Sequence, residues 1–241
     1  MRKISVICAV LCGALWIISG GIAAAQSPSG VYIRGDLGGA FGNNTTFTDT
    51  NPGASNCLVC SSSITGGTGS SVIFGGGVGY RFTPMFRSDV TLDYIPSFKE
   101  TGRSSVSTTT TSGNIDSLVV LANGYLDLNG VFPNVFGNFQ PYLDAGIGFS
   151  NNHVGTTSFN ALGAALSVSG NTKTDFAWAI GAGLGYSITP STTLDVAYRY
   201  LDLGQAQTGT RLSGPGGSVT ITAARGGLST HIVTAGLRYE F

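Results

Sequence analysis

The chain has 241 residues, 37 of them glycine, and its 12 basic side chains balance 12 acidic ones. Nucleic acid is held by dense clusters of Lys and Arg, so a neutral chain with lysine only at Lys3, Lys99 and Lys173 is poorly suited to it. No apolar run of about 18 residues occurs after residue 25, which leaves no candidate for a membrane-spanning helix.

Residues 1–25 read as a secretory signal peptide. Arg2 and Lys3 precede an apolar core from Ile4 to Ile18, and Ala23-Ala24-Ala25 supplies a small-residue cleavage site before Gln26. The apolar core is short for a membrane anchor, and Leu11 stands before Cys12 where a lipoprotein would need a small residue. Cleavage would remove two basic residues and leave 10 against 12 acidic, a net charge of −2. Residues 26–241 form one candidate domain.

Period-two alternation then recurs along the chain, the signature of half-buried strands. In 31–40, Val31, Ile33 and Leu37 oppose Tyr32, Arg34, Asp36 and Gly38. In 72–82, Val72, Phe74, Val78, Tyr80 and Phe82 oppose Gly75, Gly77, Gly79 and Arg81. In 86–95, Phe86, Val90, Leu92 and Tyr94 oppose Arg87, Asp89, Thr91 and Asp93. The run 115–128 is less clean, with Asn123 and Asp127 marking its polar side. In 139–149, Leu143, Ala145, Ile147 and Phe149 oppose Tyr142, Asp144, Gly146 and Gly148. The run 176–188 alternates Phe176, Trp178, Ile180, Leu184, Tyr186 and Ile188 with alanine and glycine. In 194–200, Leu194, Val196, Tyr198 and Tyr200 oppose Asp195, Ala197 and Arg199. The last run, 231–241, opposes Val233, Ala235, Leu237, Tyr239 and Phe241 to Thr234, Gly236, Arg238 and Glu240.

Eight strands are predicted. Their connections alternate in length: Thr83-Pro84-Met85 and Thr189-Pro190-Ser191 are tight turns, and 129–138 is a moderate link. The other four, near 41–70, 99–113, 150–174 and 204–227, are expected to be long loops rich in Ser, Thr, Asn and Gly. An up-and-down meander puts all of these at one end. GGGVGYRFTP (75–84) echoes GAGLGYSITP (181–190), so one hairpin design occurs twice. Cys57 and Cys60 fall in the first long loop. In an exported chain an oxidised pair is the expected state, because zinc would need two further ligands.

Alternation fits a soluble sandwich and a membrane barrel equally; four features favour the barrel. The polar faces combine glycine with opposed charges (Arg34 with Asp36, Arg87 with Asp89 and Asp93, Asp195 with Arg199, Arg238 with Glu240), as a narrow filled interior requires. Aromatic side chains gather near strand ends: Phe176 and Trp178 at one, Tyr80, Phe82, Tyr186, Tyr239 and Phe241 at the other. Short turns alternate with long loops. Closure would leave no bare strand edge in hydrocarbon. The predicted fold is all-β, an eight-stranded antiparallel up-and-down transmembrane β-barrel. Its lumen set is Arg34, Asp36, Arg81, Arg87, Asp89, Asp93, Asp127, Asp144, Asp195, Arg199, Arg238 and Glu240, expected to pair across strands and plug the interior.

YIRGDLGGAF, GYRFTP, the strand with Leu121-Ala122-Asn123, QPYLDAGIGF and the terminal LRYEF resemble the opacity-type outer-membrane β-barrel family, an OmpA-like transmembrane barrel of porin-family surface antigens. The resemblance covers the strands of the whole exported chain and hardly touches the loops. It implies the outer membrane of a Gram-negative cell, contact with lipid and lipopolysaccharide, a host or surface ligand at the loops, and no cofactor. Tyr239 and Phe241 on the final strand resemble the signal read by the barrel-assembly machinery. The expected role is structural and adhesive; the alternatives are a small-solute porin and a lipid-modifying enzyme. For the enzyme, Ser229 and His231 lie near the outer end of the last strand. The nearest acid, Glu240, is about 30 Å away at the other end, so no triad is expected.

Overall fold

The computed structural model describes residues 30–49, 64–104, 110–161 and 164–241. The expected signal peptide (1–25) and the Cys57/Cys60 pair lie outside the described residues. Fourteen strands join one sheet: β1 (Gly30–Gly42), β2 (Asn44–Asp49), β3 (Ile64–Thr68), β4 (Ser70–Arg81), β5 (Phe86–Ser104), β6 (Thr110–Asp127), β7 (Phe139–Val154), β8 (Thr157–Ala161), β9 (Ala164–Val168), β10 (Asn171–Ser187), β11 (Thr192–Gln207), β12 (Arg211–Gly214), β13 (Gly217–Thr220) and β14 (Ala224–Glu240).

Eight of these close a barrel in the antiparallel order β1, β4, β5, β6, β7, β10, β11, β14 and back to β1. The closing seam runs from Tyr32 opposite Glu240 to Gly42 opposite Thr230. The last residue is tied down: the Phe241 amide donates to the Val31 carbonyl at 3.0 Å, and the Glu240 amide to Ser191 at 2.8 Å.

The two echoed hairpins turn alike. The Thr83 hydroxyl accepts from the amides of Met85 and Phe86, and the Thr189 hydroxyl from that of Thr192. A Thr-Pro pair suits this corner, because proline fixes φ while the threonine side chain takes amides the ladder leaves free. The third short connection holds one helical turn, Leu128–Val131.

In the four segments expected as long loops, the described residues are largely strand. β5, β6, β7, β10, β11 and β14 run on past their alternating stretches. Between them, β2–β3, β8–β9 and β12–β13 form further hairpins. Beyond the bilayer a strand needs no continuous apolar face, so the period-two signal fades while threonine-rich backbone keeps pairing.

Side-chain direction follows the predicted parity. Val31, Ile33, Leu37, Phe74, Val78, Val90, Leu143, Ile147, Ile180, Leu184, Val196, Val233 and Leu237 are exposed on the outside, while Tyr32, Arg87, Asp89, Asp144, Asp195 and Arg238 are buried inside. An outer face of large apolar side chains over a polar interior is the arrangement lipid demands. The irregular strand is explained by β6, which turns Ile115, Val119 and Leu121 into the lumen above Asn123, Tyr125 and Asp127. Inward parity on that strand changes chemistry half way along it.

Candidate functional site

The lumen has two storeys. Near the short turns it is filled by charge. The Arg34 guanidinium grips Asp36 with two parallel hydrogen bonds of 2.8 Å and donates a third, of 2.6 Å, to the Tyr125 hydroxyl. Asp89 accepts from Asn123 (2.7 Å), Tyr32 (3.1 Å) and Tyr125 (3.2 Å), with Arg34 at 3.5 Å. Such forked, charge-assisted bonds are about twice as strong as neutral ones.

Arg199 lies 2.7 Å from Asp144 and donates to the Asn123 side-chain oxygen Oδ1 at 2.5 Å. Arg81 bridges Asp127 (2.7 Å) and Glu240 (2.9 Å), and Arg87 reaches the same Asp127 at 3.0 Å. Arg238 stands 3.6 Å from Asp195 and donates to Gln140 at 2.8 Å.

Arg87 is the centre of this storey. Its guanidinium carbon lies 4.0 Å from the Tyr125 ring centroid, 4.7 Å from that of Tyr142 and 5.7 Å from that of Tyr32. Among the described residues its two terminal nitrogens have no hydrogen-bond partner, so three aromatic faces receive the charge that oxygen does not. Glycines make the room. A Cβ at Gly79 would strike Tyr32, at Gly183 Tyr142, at Gly75 Asp93, at Gly236 Asp36 and at Gly146 Asn123.

All twelve predicted lumen charges lie on the inward side, and their ion pairs run mostly between strands. Arg34 with Asp36 is, among the described residues, the one pair of this set within a single strand. Arg87 goes to Asp127 rather than Asp89 or Asp93, Arg199 to Asp144 rather than Asp195, and Arg238 to Asp195 rather than Glu240. Side chains two apart on a strand sit one above the other, while partners at the same level stand on the next strand or, as for Arg199 and Asp144 on either side of Gly181, on the one after it. Asp93, among the described residues, has no cation within 4 Å and accepts from Thr91 at 3.2 Å. Sequence reasoning missed Tyr125 and Gln140 as partners; both lie on the inward parity of their strands.

The outer storey is apolar. Ile73, Ile95, Ile115, Val119, Leu121, Leu201, Leu203, Leu228 and Ile232, with smaller side chains, form one buried cluster. Ser117, Ser150 and Asn152 are threaded through it and satisfied there: Ser117 donates to Asn152, and Asn152 to the Leu203 carbonyl at 2.8 Å. β11 aims Leu203 inward at a bulge between Asp202 and Gln205, where Gly204 has φ of +70°.

On the outer face, the His231 Nδ1 meets the Tyr198 hydroxyl at 2.7 Å, and its ring packs against Tyr198 and Tyr200. Ser229 accepts from Asn43 at 2.9 Å. Glu240 is bound to Arg81 at the far end, so these residues do not assemble an acid–histidine–serine relay.

The model of the family described as outer membrane protein beta-barrel domain matches residues 10–241. The chain belongs to this family. The cell outer membrane is its location and lipid its surroundings. Among relatives of this outer-membrane barrel, an uncharacterized protein of Brucella suis is 28% identical over 292 aligned positions, covering 100% of both chains. Outer membrane protein PagN of Salmonella typhimurium is 27% identical over 202, covering 76% of this chain and 78% of the relative. Among solved structures, outer membrane protein OprG of Pseudomonas aeruginosa shares the fold with a TM-score of 0.53 and 16% identity, over 88% of this chain and 97% of that one.

Proposed function

We propose that this barrel is a closed scaffold that presents its outer hairpins at the cell surface, with a structural and adhesive role and neither solute passage nor catalysis. The observation that carries the reading is the double filling of the lumen. An ion-paired storey anchored on Arg87 stands beneath an apolar storey of branched side chains. A solute would have to break the first and wet the second. The β2–β3, β8–β9 and β12–β13 hairpins supply surface on the side where barrels of this kind carry their long connections. Tyr239, outward on the last strand, and the exposed Phe241 just past it are the residues we assign to recognition by the barrel-assembly machinery, and lipopolysaccharide is the lipid we assign to the outer leaflet.

Planar-bilayer recording of the refolded protein tests this. The expected trace is silent or shows small, intermittent steps. A steady, large, ion-selective current that survives neutralisation of Arg199 and Asp89 would establish the porin instead.

A further inference from the structure

The hairpin β12–β13 does not end the sheet neutrally. β12 is paired on both sides, with β9 through Ser213 opposite Ser167 and Leu212 opposite Val168, and with β13 through Ser213 opposite Ser218 and Leu212 opposite Val219. β13 is paired on one side only, and the sheet stops there among the described residues. All four of its residues are exposed.

The hydrogen-bond phase can be read from its neighbours. The Ile221 amide donates to the Thr210 carbonyl at 2.7 Å, while the Arg211 carbonyl faces the other way and accepts from Ser169 at 2.9 Å. In an antiparallel ladder these directions alternate. Gly217 and Val219 therefore turn their backbone groups to β12, and Ser218 and Thr220 turn theirs outward. The free edge offers an amide and a carbonyl at each of two positions spaced for an extended strand.

Natural sheets blunt such edges with lysine, proline, inward charge or a covering loop. The stretch Gly217-Ser218-Val219-Thr220 has no proline and no charge. Its two faces differ in chemistry. One bears Val219, 59% exposed, beside Leu212. The other bears Ser218, Thr220 and the exposed Arg211, whose guanidinium donates to the Ser218 hydroxyl at 2.8 Å and has no carboxylate within 4 Å among the described residues. We propose that this edge is a docking strand for an extended acidic peptide segment of an extracellular partner. The segment adds a strand beside β13, setting an apolar side chain against Val219 and a carboxylate against Arg211. The inference rests on the surface-presentation reading above and supplies the class of partner for it.

The test uses the full chain refolded into lipid nanodiscs. Its probe is a fluorescent acetylated peptide alternating valine with glutamate, with a twin carrying lysine in place of glutamate. The expected result is binding of the glutamate peptide in preference to its twin, with the preference lost in Arg211→Glu. Ser218→Pro and Thr220→Pro each remove one outward amide while sparing the hairpin's own bonds, and each should weaken binding about fivefold to tenfold. Heat-dependent gel mobility checks that both variants remain folded barrels. Unchanged binding by both proline variants, or no binding of the glutamate peptide, overturns the proposal. So does a wild-type dimer in sedimentation that Ser218→Pro dissolves, because the edge would then belong to a second copy. An epitope inserted at Gly216 and read by antibody on intact cells separates the two readings: labelled cells without peptide binding reject only the docking strand.

Discussion

Arg87 on β5 stands opposite Tyr125 on β6 and reaches diagonally to Asp127, and this ion pair is the axle of the lumen. Asp127 takes Arg87 at 3.0 Å and Arg81 at 2.7 Å, so two cations share one carboxylate, and Arg81 has Glu240 as well. The relationship makes the partners unequal. Loss of Arg87 leaves Asp127 with Arg81, whereas loss of Asp127 leaves Arg87 with aromatic faces and, among the described residues, no carboxylate within 4 Å.

Asp127→Ala is therefore expected to destabilise the barrel more than Arg87→Leu does, by about 3–5 kcal/mol, the usual cost of stranding a buried charge. Urea unfolding in detergent micelles measures both. Equal effects would show that the rings, rather than the carboxylate, hold the guanidinium.

Arg199→Ala should behave similarly, since it strands Asp144, and so should Asp89→Ala, which removes the acceptor of Asn123, Tyr32 and Tyr125. Lys173→Ala breaks the partly exposed pair with Asp175 and an exposed hydrogen bond to Gln205, and should cost about 0–1 kcal/mol. The same unfolding series supplies the comparison.

The two storeys are separable. Leu121→Ala opens a cavity in the apolar storey and should cost about 2–5 kcal/mol. It leaves the ion-paired storey in place, so bilayer conductance should stay at the wild-type level. A new steady current in this variant would show that the apolar side chains alone form the seal.

Asp175 lies on the outer-loop side of Phe176 and Trp178. The hydrogen bond from Lys173 holds its carboxyl below the usual carboxylate range, with the amides of Gln205 and Phe176 adding to the effect. A depressed folded value means the contribution is present above the unfolded value and is lost as pH falls through the folded one. Titration of Asp175 by carboxyl-resolved NMR should show this depression shrink in Lys173→Met. No change would assign the effect to the amides.

The barrel was legible because lipid enforces parity: Val31, Phe74, Val90 and Leu237 could only face out once Arg34, Asp89 and Arg238 faced in. Inward glycines were legible as space, and the structure places Tyr142 over Gly183 and Tyr32 over Gly79. Partner choice was not legible. It depends on the stagger between strands, which sets Asp144 rather than Asp195 beside Arg199, and stagger leaves no trace in a single strand. The apolar storey was hidden for another reason. Ile115, Val119 and Leu121 sit on the inward parity of a strand whose outward face is also apolar, which erases the contrast the eye follows. Past the bilayer the alternation stops mattering, so the strand extensions read as loops.

The widest-spanning bonds of the ion-paired storey are chords rather than rungs. Arg34 on β1 reaches Tyr125 on β6, Arg199 on β11 reaches Asn123 on β6, and Arg238 on β14 reaches Gln140 on β7. Each joins strands that are three places apart around the ring. Backbone ladders resist stretching along the wall but leave a ring free to flatten into an oval, as a hoop does. Cross-members pinned at three places remove that freedom and hold the section round. Lateral pressure from the bilayer then meets a braced frame, and the hairpins above it stand on a footing that does not yield.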